Sequence, residues 1–181
     1  MKIGTQAPIW RVPCLMNGKM EYLSLTAFQG RQLVLCCVPS LAETTAWLLD
    51  RHVERFRERG GTLAVLILEE DVFRQTWVRA PHEFHVPFLT DPLRRLGRTL
   101  RLSRSLPAHR CETLFFNPDN RLHFRLFHDL NLKGIATVLE VAESDFCQKT
   151  DQGFSESILP LDHLHVQHSG IETPSGSYTL K

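Results

Sequence analysis

The sequence predicts an α/β domain in which a mixed β-sheet lies between helices. Residues 32–38 and 62–68 are apolar almost throughout, as strands covered on both faces are. The stretch between them is amphipathic, so strand, helix and strand form a βαβ unit with parallel pairing and a right-handed crossover. Residues 113–116 and 122–127 are joined by turn residues and predict an antiparallel hairpin. The sheet is therefore expected to contain both kinds of pairing.

A β-hairpin is predicted before the first long strand. Asn17-Gly18 is a dipeptide typical of tight hairpin turns, and it separates residues 14–16 from residues 20–23, which are suited to strands. We expect this hairpin to form an N-terminal extension of the sheet.

The first long helix is predicted to begin at a capping box. Ser40-Leu41-Ala42-Glu43 has the Ser-x-x-Glu spacing in which two side chains bond the exposed backbone amides. The apolar residues that follow share one helical face: Ala46, Leu49, Val53 and Phe56. Gly60-Gly61 ends the helix. On this interpretation Glu43 is a structural residue.

Three further helices are predicted. One covers residues 71–79. Another covers residues 93–100, with Asp91 as its N-cap and Pro92 in the first helical position, where proline is favoured. The last covers residues 134–146. Apart from the helix over residues 93–100, the resulting order is β-α-β-α-β-β-α, that of a thioredoxin-like sheet between helices.

One domain over residues 1–148 is expected, followed by a tail over residues 149–181. A chain of 181 residues with 43% hydrophobic content can bury one core. The tail mixes Ser, Gly, Thr and Pro, and is predicted to be either mobile or an arm that packs on a partner subunit. His163, His165 and His168 in the tail are candidate ligands for zinc or copper, with a solvated tail as the alternative.

Charge and cysteine content exclude several classes of protein. A net charge of +1 gives no electrostatic basis for binding nucleic acid or a membrane surface, and no apolar run approaches the length of a membrane span. No cofactor is indicated. Thiols in a reducing cytoplasm are favoured over disulfides, because the five cysteines show no repeated spacing: Cys14, Cys36, Cys37, Cys111 and Cys147.

Several segments resemble the peroxiredoxin family in the order in which that family has them. Gly4-Thr5-Gln6-Ala7-Pro8 is similar to its opening Gly-x-x-Ala-Pro, and residues 113–119 are similar to its penultimate strand and turn. Pro39 opens a segment similar to the family's Pro-x-x-x-Thr-x-x-Cys, with wording closest to the thiol-peroxidase branch. The resemblance covers about residues 3–147 and implies a thioredoxin-like fold, a homodimer and a redox ancestry.

The resemblance also implies hydroperoxide reduction by a cysteine thiolate, which an arginine and a helix N-terminus stabilise. In this chain Ala46 stands in the cysteine position and Glu43 in the threonine position. Val78 stands where the thiol-peroxidase branch holds a resolving cysteine. Arg110 is the best match to the family's active-site arginine, but it is one residue out of register with the strand that follows. A bulge at Cys111-Glu112 would correct this offset.

The residues leave three hypotheses open. The first is a peroxiredoxin-like protein without standard hydroperoxide reductase activity, in which Glu43 and Arg110 line a pocket for another ligand. The second is a working thiol oxidoreductase that uses Cys36, Cys37 or Cys111, with a reductant such as thioredoxin. Cys36 and Cys37 are not expected to act together, because successive strand residues face opposite sides of a sheet. The third is a non-enzymatic interaction module whose tail recruits a partner or a metal.

Overall fold

The computed structural model describes residues 1–68 and 84–152. Within these ranges the strands are β1 (Val12–Met16), β2 (Lys19–Leu23), β3 (Gln32–Val38), β4 (Gly61–Ile67), β5 (Phe88–Thr90), β6 (Arg110–Phe116) and β7 (Leu122–Asp129). The helices are α1 (Glu43–Asp50), α2 (Val53–Glu58), α3 (Arg95–Leu100) and α4 (Leu132–Gln152). The predicted helix over residues 71–79, with Val78, and the histidines of the tail lie outside the described residues.

The strands form one mixed sheet in the order β2-β1-β5-β4-β3-β6-β7. β3, β4 and β5 are parallel, whereas β6 pairs antiparallel with β3 and β7 antiparallel with β6. The hairpin of β1 and β2 joins the sheet through β5. The α/β class, the βαβ unit, both hairpins and the mixed pairing are thus confirmed. None of the helices in the described ranges is long and apolar enough to cross a membrane.

The sheet is covered by a separate hydrophobic core on each face. Every residue of β3 is buried, and its side chains alternate between the two cores. The first core packs β3 against α1, α2 and α4 and contains Cys36 and Ala46. The second lies on the side of α3 and the N-terminal residues and contains Cys37. This two-sided burial explains why β3 is apolar throughout.

The start of the first helix differs from the prediction. α1 begins at Glu43, and its N-cap is Ala42, which makes no side-chain capping bond. The capping box was therefore wrong, because Ser40 lies too far before the helix to bond its first amides. Glu43 instead accepts a hydrogen bond from Trp47 Nε1 at 3.4 Å.

The same helix is also divided into two. The amide of His52 bonds Leu49 O at 3.0 Å, a tighter turn than an α-helical one, and α2 begins after it. Asp50, at the end of α1, accepts hydrogen bonds from the amides of His85 and Val86 at 2.6 and 2.8 Å. These contacts tie the break in the helix to the segment that leads into β5.

The third helix starts two residues later than predicted, although Asp91 still caps it. The Asp91 carboxylate accepts hydrogen bonds from the amides of Arg95 and Gly97 at 2.8 and 2.7 Å. The N-cap residue itself is Arg94, with a left-handed φ of 52°. Its guanidinium donates to Ser103 O at 2.8 Å, which offsets the cost of this conformation. Asp91 was therefore correct as the capping side chain and wrong as the helix boundary.

The first turn of α4 packs closely on the end of β7 at Gly134. A Cβ added to Gly134 would lie 1.9 Å from the carbonyl oxygen of Asp129 and 2.9 Å from His128 Nδ1. The Gly134 amide donates to Asn131 Oδ1 at 2.9 Å, which holds the turn in place. Only glycine permits this approach of helix and strand.

We predict that Gly134→Ala lowers the free energy of unfolding by about 1–3 kcal/mol, because the methyl group would collide with backbone. Gly97→Ala is the matched control within a helix, since its Cβ would meet the flexible Leu68 Cδ2 at 3.0 Å. There the gain in helix propensity, about 1 kcal/mol, offsets the contact. Urea denaturation of both variants measures the difference, and equal stabilities would contradict the prediction.

Candidate functional site

Ala46 packs inside the core beneath α1. Its side chain is fully buried, and its amide donates to Ala42 O at 3.0 Å. Pro39 directly follows β3 and is buried as well, whereas Glu43 is exposed. Position 46 thus holds a methyl group that packs in a hydrophobic core.

Arg110 does not share a face with Ala46. It begins β6, is exposed, and its Nε lies 3.4 Å from Asp129 Oδ1. β6 pairs regularly from Arg110 to Phe115, and the bulge lies between Phe115 and Phe116. The bulge at Cys111-Glu112 that would correct the one-residue offset is therefore absent from β6, and the offset stays. Cys111, rather than Arg110, belongs to the core that contains Ala46.

The side chains of Cys36 and Cys37 point to opposite faces of the sheet, as predicted. Of the two, Cys36 is the one that contacts polar side chains. Cys37 lies in the second core, where burial raises its pKa well above the usual value, with the charges of Glu112 and Cys36 adding to the effect. Its nearest hydrogen-bond acceptor is Leu35 O at 3.7 Å. Cys37 is therefore an inert core thiol.

Three strands bring Cys36, Cys111 and His128 together in a buried cluster, which we name the Cys–Cys–His cluster. The pairing register places Cys36 opposite Thr113 and Cys111 opposite His128. All three side chains are almost completely buried. Their sulfur and ring nitrogen atoms all lie within 4.8 Å of one another. It is the one such group of three found among the described residues.

Thr113 Oγ1 contacts all three members of this cluster. It is 2.8 Å from His128 Nε2, 3.4 Å from Cys36 Sγ and 3.5 Å from Cys111 Sγ. A hydroxyl has one donor and two acceptor positions: it donates to Cys36 Sγ, and it can accept from Cys111 Sγ and from His128 Nε2 when the ring is protonated. Every polar atom of the cluster is thereby provided with a partner, as buried polar groups require.

The backbone fixes the orientation of the His128 ring. Nδ1 lies 2.9 Å from Asp129 O, and a carbonyl can only accept, so Nδ1 carries a proton. In the neutral ring, Nε2 then presents its lone pair to the two thiols and the hydroxyl. Gly134 makes this arrangement possible, because any side chain there would strike both the carbonyl and the ring.

The cluster separates the proton affinities of its members. Hydrogen bonding by the Cys111 thiol lowers the pKa of Cys36 to about 5 against the opposing effect of burial, and His128 and Thr113 act in the same direction. Burial raises the pKa of Cys111 well above its usual value. Burial lowers the pKa of His128, but hydrogen bonds to Cys36 and the Asp129 carbonyl outweigh it and raise the pKa overall.

A second buried polar contact lies on the other face of β6. Glu112 is fully buried, and its Oε1 accepts from Arg125 Nη1 at 2.6 Å. Its Oε2 accepts from the amide of Ser103 at 2.9 Å. Arg125 also donates to the carbonyls of Met1 and Leu100. This ion pair joins β6, β7, α3 and the N-terminus, and the sequence interpretation did not identify it.

A cavity of about 440 Å³ lies away from these residues. Its lining includes Arg31, Arg57, Thr62 and His85. Arg31 precedes β3 and Thr62 begins β4, so the cavity lies at the end of the sheet opposite Pro39. It adjoins neither Ala46 nor the Cys–Cys–His cluster.

The fold matches solved peroxiredoxin structures over most of their length. The reduced 2-Cys peroxiredoxin of Plasmodium vivax is 13% identical, with a TM-score of 0.69 over 83% of this chain and 99% of that one. Thioredoxin peroxidase I of Plasmodium yoelii is 14% identical, with a TM-score of 0.67 over 91% and 100%. AhpC of Mycobacterium tuberculosis is 19% identical, with a TM-score of 0.62 over 80% and 94%.

These likenesses show that the chain has the thioredoxin-like fold of the 2-Cys peroxiredoxins, which confirms the fold that the resemblance implied. No protein-family model matches the sequence, and no curated protein matches it in sequence.

The sequence analysis missed one member of the Cys–Cys–His cluster and the hydroxyl that contacts all three members. Cys36 and Cys111 were candidates as separate thiols, but Thr113 and His128 were not considered. The alternation of β6 puts Cys111 and Thr113 on one face, and this could have been read from the sequence. The position of His128 depends on a bulge that no residue pattern marked.

Proposed function

We propose that this chain is a peroxiredoxin-like protein of redox and antioxidant ancestry that does not carry out the standard hydroperoxide reduction. The observation that supports this proposal most directly is the side chain at position 46. A methyl group cannot attack the O–O bond of a peroxide, and this one is fully buried in the core. No sulfur is available on α1, whose sequence is Glu43–Asp50.

The residues around position 46 support the same proposal. Glu43 supplies a carboxylate where the resemblance implies a hydroxyl, and a negative charge disfavours a neighbouring thiolate. Arg110 pairs with Asp129 on the neighbouring strand and lies on the other face of β6 from Cys111. Besides the missing sulfur, the hydroxyl of the standard reaction is therefore replaced by a carboxylate, and the candidate arginine lies on a face that Cys111 does not share.

We predict that the protein consumes hydrogen peroxide no faster than buffer when dithiothreitol or thioredoxin is the reductant. Peroxide loss is followed over time at neutral pH, and a 2-Cys peroxiredoxin serves as the positive control. Turnover above background would contradict the proposal.

A second candidate is a thiol oxidoreductase that needs no thiol at position 46. This candidate is favoured by the contact between Cys36 and Cys111. Their convergence with His128 separates them from Cys37, which is alone on the other face. In the same peroxide assay, activity that is lost in Cys36→Ser and Cys111→Ser but kept in Cys37→Ser would support this candidate instead.

We predict that Ala46→Cys does not restore peroxide reduction. The new thiol would replace a buried methyl group, and burial in apolar surroundings raises a thiol pKa above the free value of about 8.5. The rate of alkylation by iodoacetamide as a function of pH measures this pKa in a background in which all five native cysteines are replaced by serine. An acidic, peroxide-reactive thiol at position 46 would show that the pocket has lost only its sulfur.

A reducing, cytoplasmic location is part of the proposal. In support, Cys14, Cys36, Cys37 and Cys111 are all free and buried, as expected of a protein that folds without disulfides.

We also propose a homodimer. In support, four large apolar side chains in and just before the hairpin are exposed, and exposed apolar surface favours association: Ile9, Trp10, Met20 and Tyr22. We predict that sedimentation equilibrium gives twice the 20.8 kDa mass of one chain. A monomer mass at tens of micromolar protein would contradict this assembly.

A further inference from the structure

We propose that Cys36, Cys111 and His128 bind one zinc ion between the sheet and α4. This site is independent of the proposed function, since it uses neither position 46 nor a reaction with peroxide. The ligands come from three neighbouring strands, β3, β6 and β7.

The donor atoms suit zinc. Two thiolates and one imidazole nitrogen form a ligand set that this ion accepts, with a fourth position left to another donor. Bond lengths of about 2.0–2.3 Å place the donors of a tetrahedral zinc site roughly 3.3–3.8 Å apart. The three donors here already lie within 4.8 Å of one another, so side-chain shifts of roughly 1 Å complete the site.

Thr113 is positioned to supply the fourth donor. Its Oγ1 lies 2.8–3.5 Å from the other three donor atoms, which is close to the spacing of donors around one zinc ion. A bound ion replaces the hydrogen bonds that link the hydroxyl to Cys36 and His128.

The surroundings of the ligands have the form of a metal site. His128 donates Nδ1–H to Asp129 O at 2.9 Å, and an imidazole ligand that is held in this way keeps Nε2 directed at the ion. The close packing of Gly134 against the same carbonyl limits movement of the ring. The histidine is thus oriented before any ion arrives.

Charge selects zinc over copper(I) at this place. The cluster lies in an apolar core with Ala46, Phe115 and Ile135, where an uncompensated charge is costly. Two thiolates and Zn²⁺ are neutral together, whereas two thiolates and Cu⁺ leave one negative charge. Binding displaces whatever protons the two sulfurs and His128 Nε2 still hold, and neither sulfur changes its oxidation state. No oxidant or reductant is required.

The burial of the cluster dictates how the ion must be supplied. Only His128 retains slight exposure, 8%, at the edge strand β7. An ion therefore enters while the chain folds or when the first turn of α4 opens, as is usual where metal binding is coupled to folding. Both routes have to be tested.

The experiment uses the full chain, with Zn²⁺ added either to the folded protein or during refolding from denaturant. After gel filtration, elemental analysis is expected to find one zinc per chain in at least the refolded sample. Refolding with Co²⁺ is expected to give the visible and thiolate charge-transfer absorption bands of tetrahedral sulfur and nitrogen coordination. Zinc is also expected to raise the melting temperature.

Variants identify the ligands. Cys36→Ser, Cys111→Ser and His128→Asn are each expected to weaken zinc binding by about tenfold or more, since even residues that only orient a ligand have effects of this size. Cys37→Ser is the matched control, a buried cysteine on the same strand and the other face, and it is expected to bind normally. Circular dichroism of each variant without metal verifies that it is folded.

A second control removes the histidines of the tail. The triple variant with asparagine at His163, His165 and His168 is expected to bind zinc and Co²⁺ as the parent chain does. Loss of binding in this variant would assign the metal to the tail and overturn the proposal. Less than a tenth of an equivalent of zinc by both routes, equal binding by the Cys36 and Cys37 variants, or uptake of Cu⁺ alone would also overturn it.

Discussion

The register of β6 between β3 and β7 is the constraint on which the centre of this molecule depends. β3 presents Cys36 to Thr113, and β7 presents His128 to Cys111. On the turn side of the bulge, Phe116 pairs with Leu122. On its other side, Phe115 pairs with Phe124. Without that bulge Cys111 would face Phe127, because a slip of one residue turns every side chain of a strand to the other face. The observed register instead buries His128 and leaves Phe127 exposed.

The first half of β6 carries polar side chains on both faces. The buried polar groups of each face are satisfied by a different set of partners. On one side Thr113 shares its hydroxyl among two thiols and an imidazole. On the other, the Glu112 carboxylate is balanced by Arg125 and by a backbone amide. Removing one member of such a buried pair is costly, because its partner is left without compensation. The strand that joins the two halves of the sheet is therefore held by specific polar contacts as well as by hydrophobic packing.

Most of the fold could be predicted from the sequence, since runs of apolar residues define β3 and β4, and Asn17-Gly18 defines the first hairpin. Helix boundaries were less accessible because they depend on tertiary contacts. Asp91 caps α3 from four residues away only because Arg94 adopts a left-handed conformation. The first helix ends early where Asp50 bonds the amides of His85 and Val86, and no local pattern announces a contact over that distance.

The same reasoning applies to the candidate site. The motifs indicated a site at the N-terminus of the first helix, but the residues there are either buried and apolar or exposed to solvent. The polar chemistry of the core lies on the neighbouring strands instead. Because His128 reaches that chemistry through a single extra residue in a hairpin, the cluster is sensitive to chain length rather than only to residue identity. Among descendants of a common ancestor, loss of the bulge, whose extra residue lies between Leu122 and Phe124 on β7, would place a phenyl ring where the imidazole now lies. The Cys–Cys–His cluster could thus form or be lost without a substitution at Cys36, Cys111 or His128.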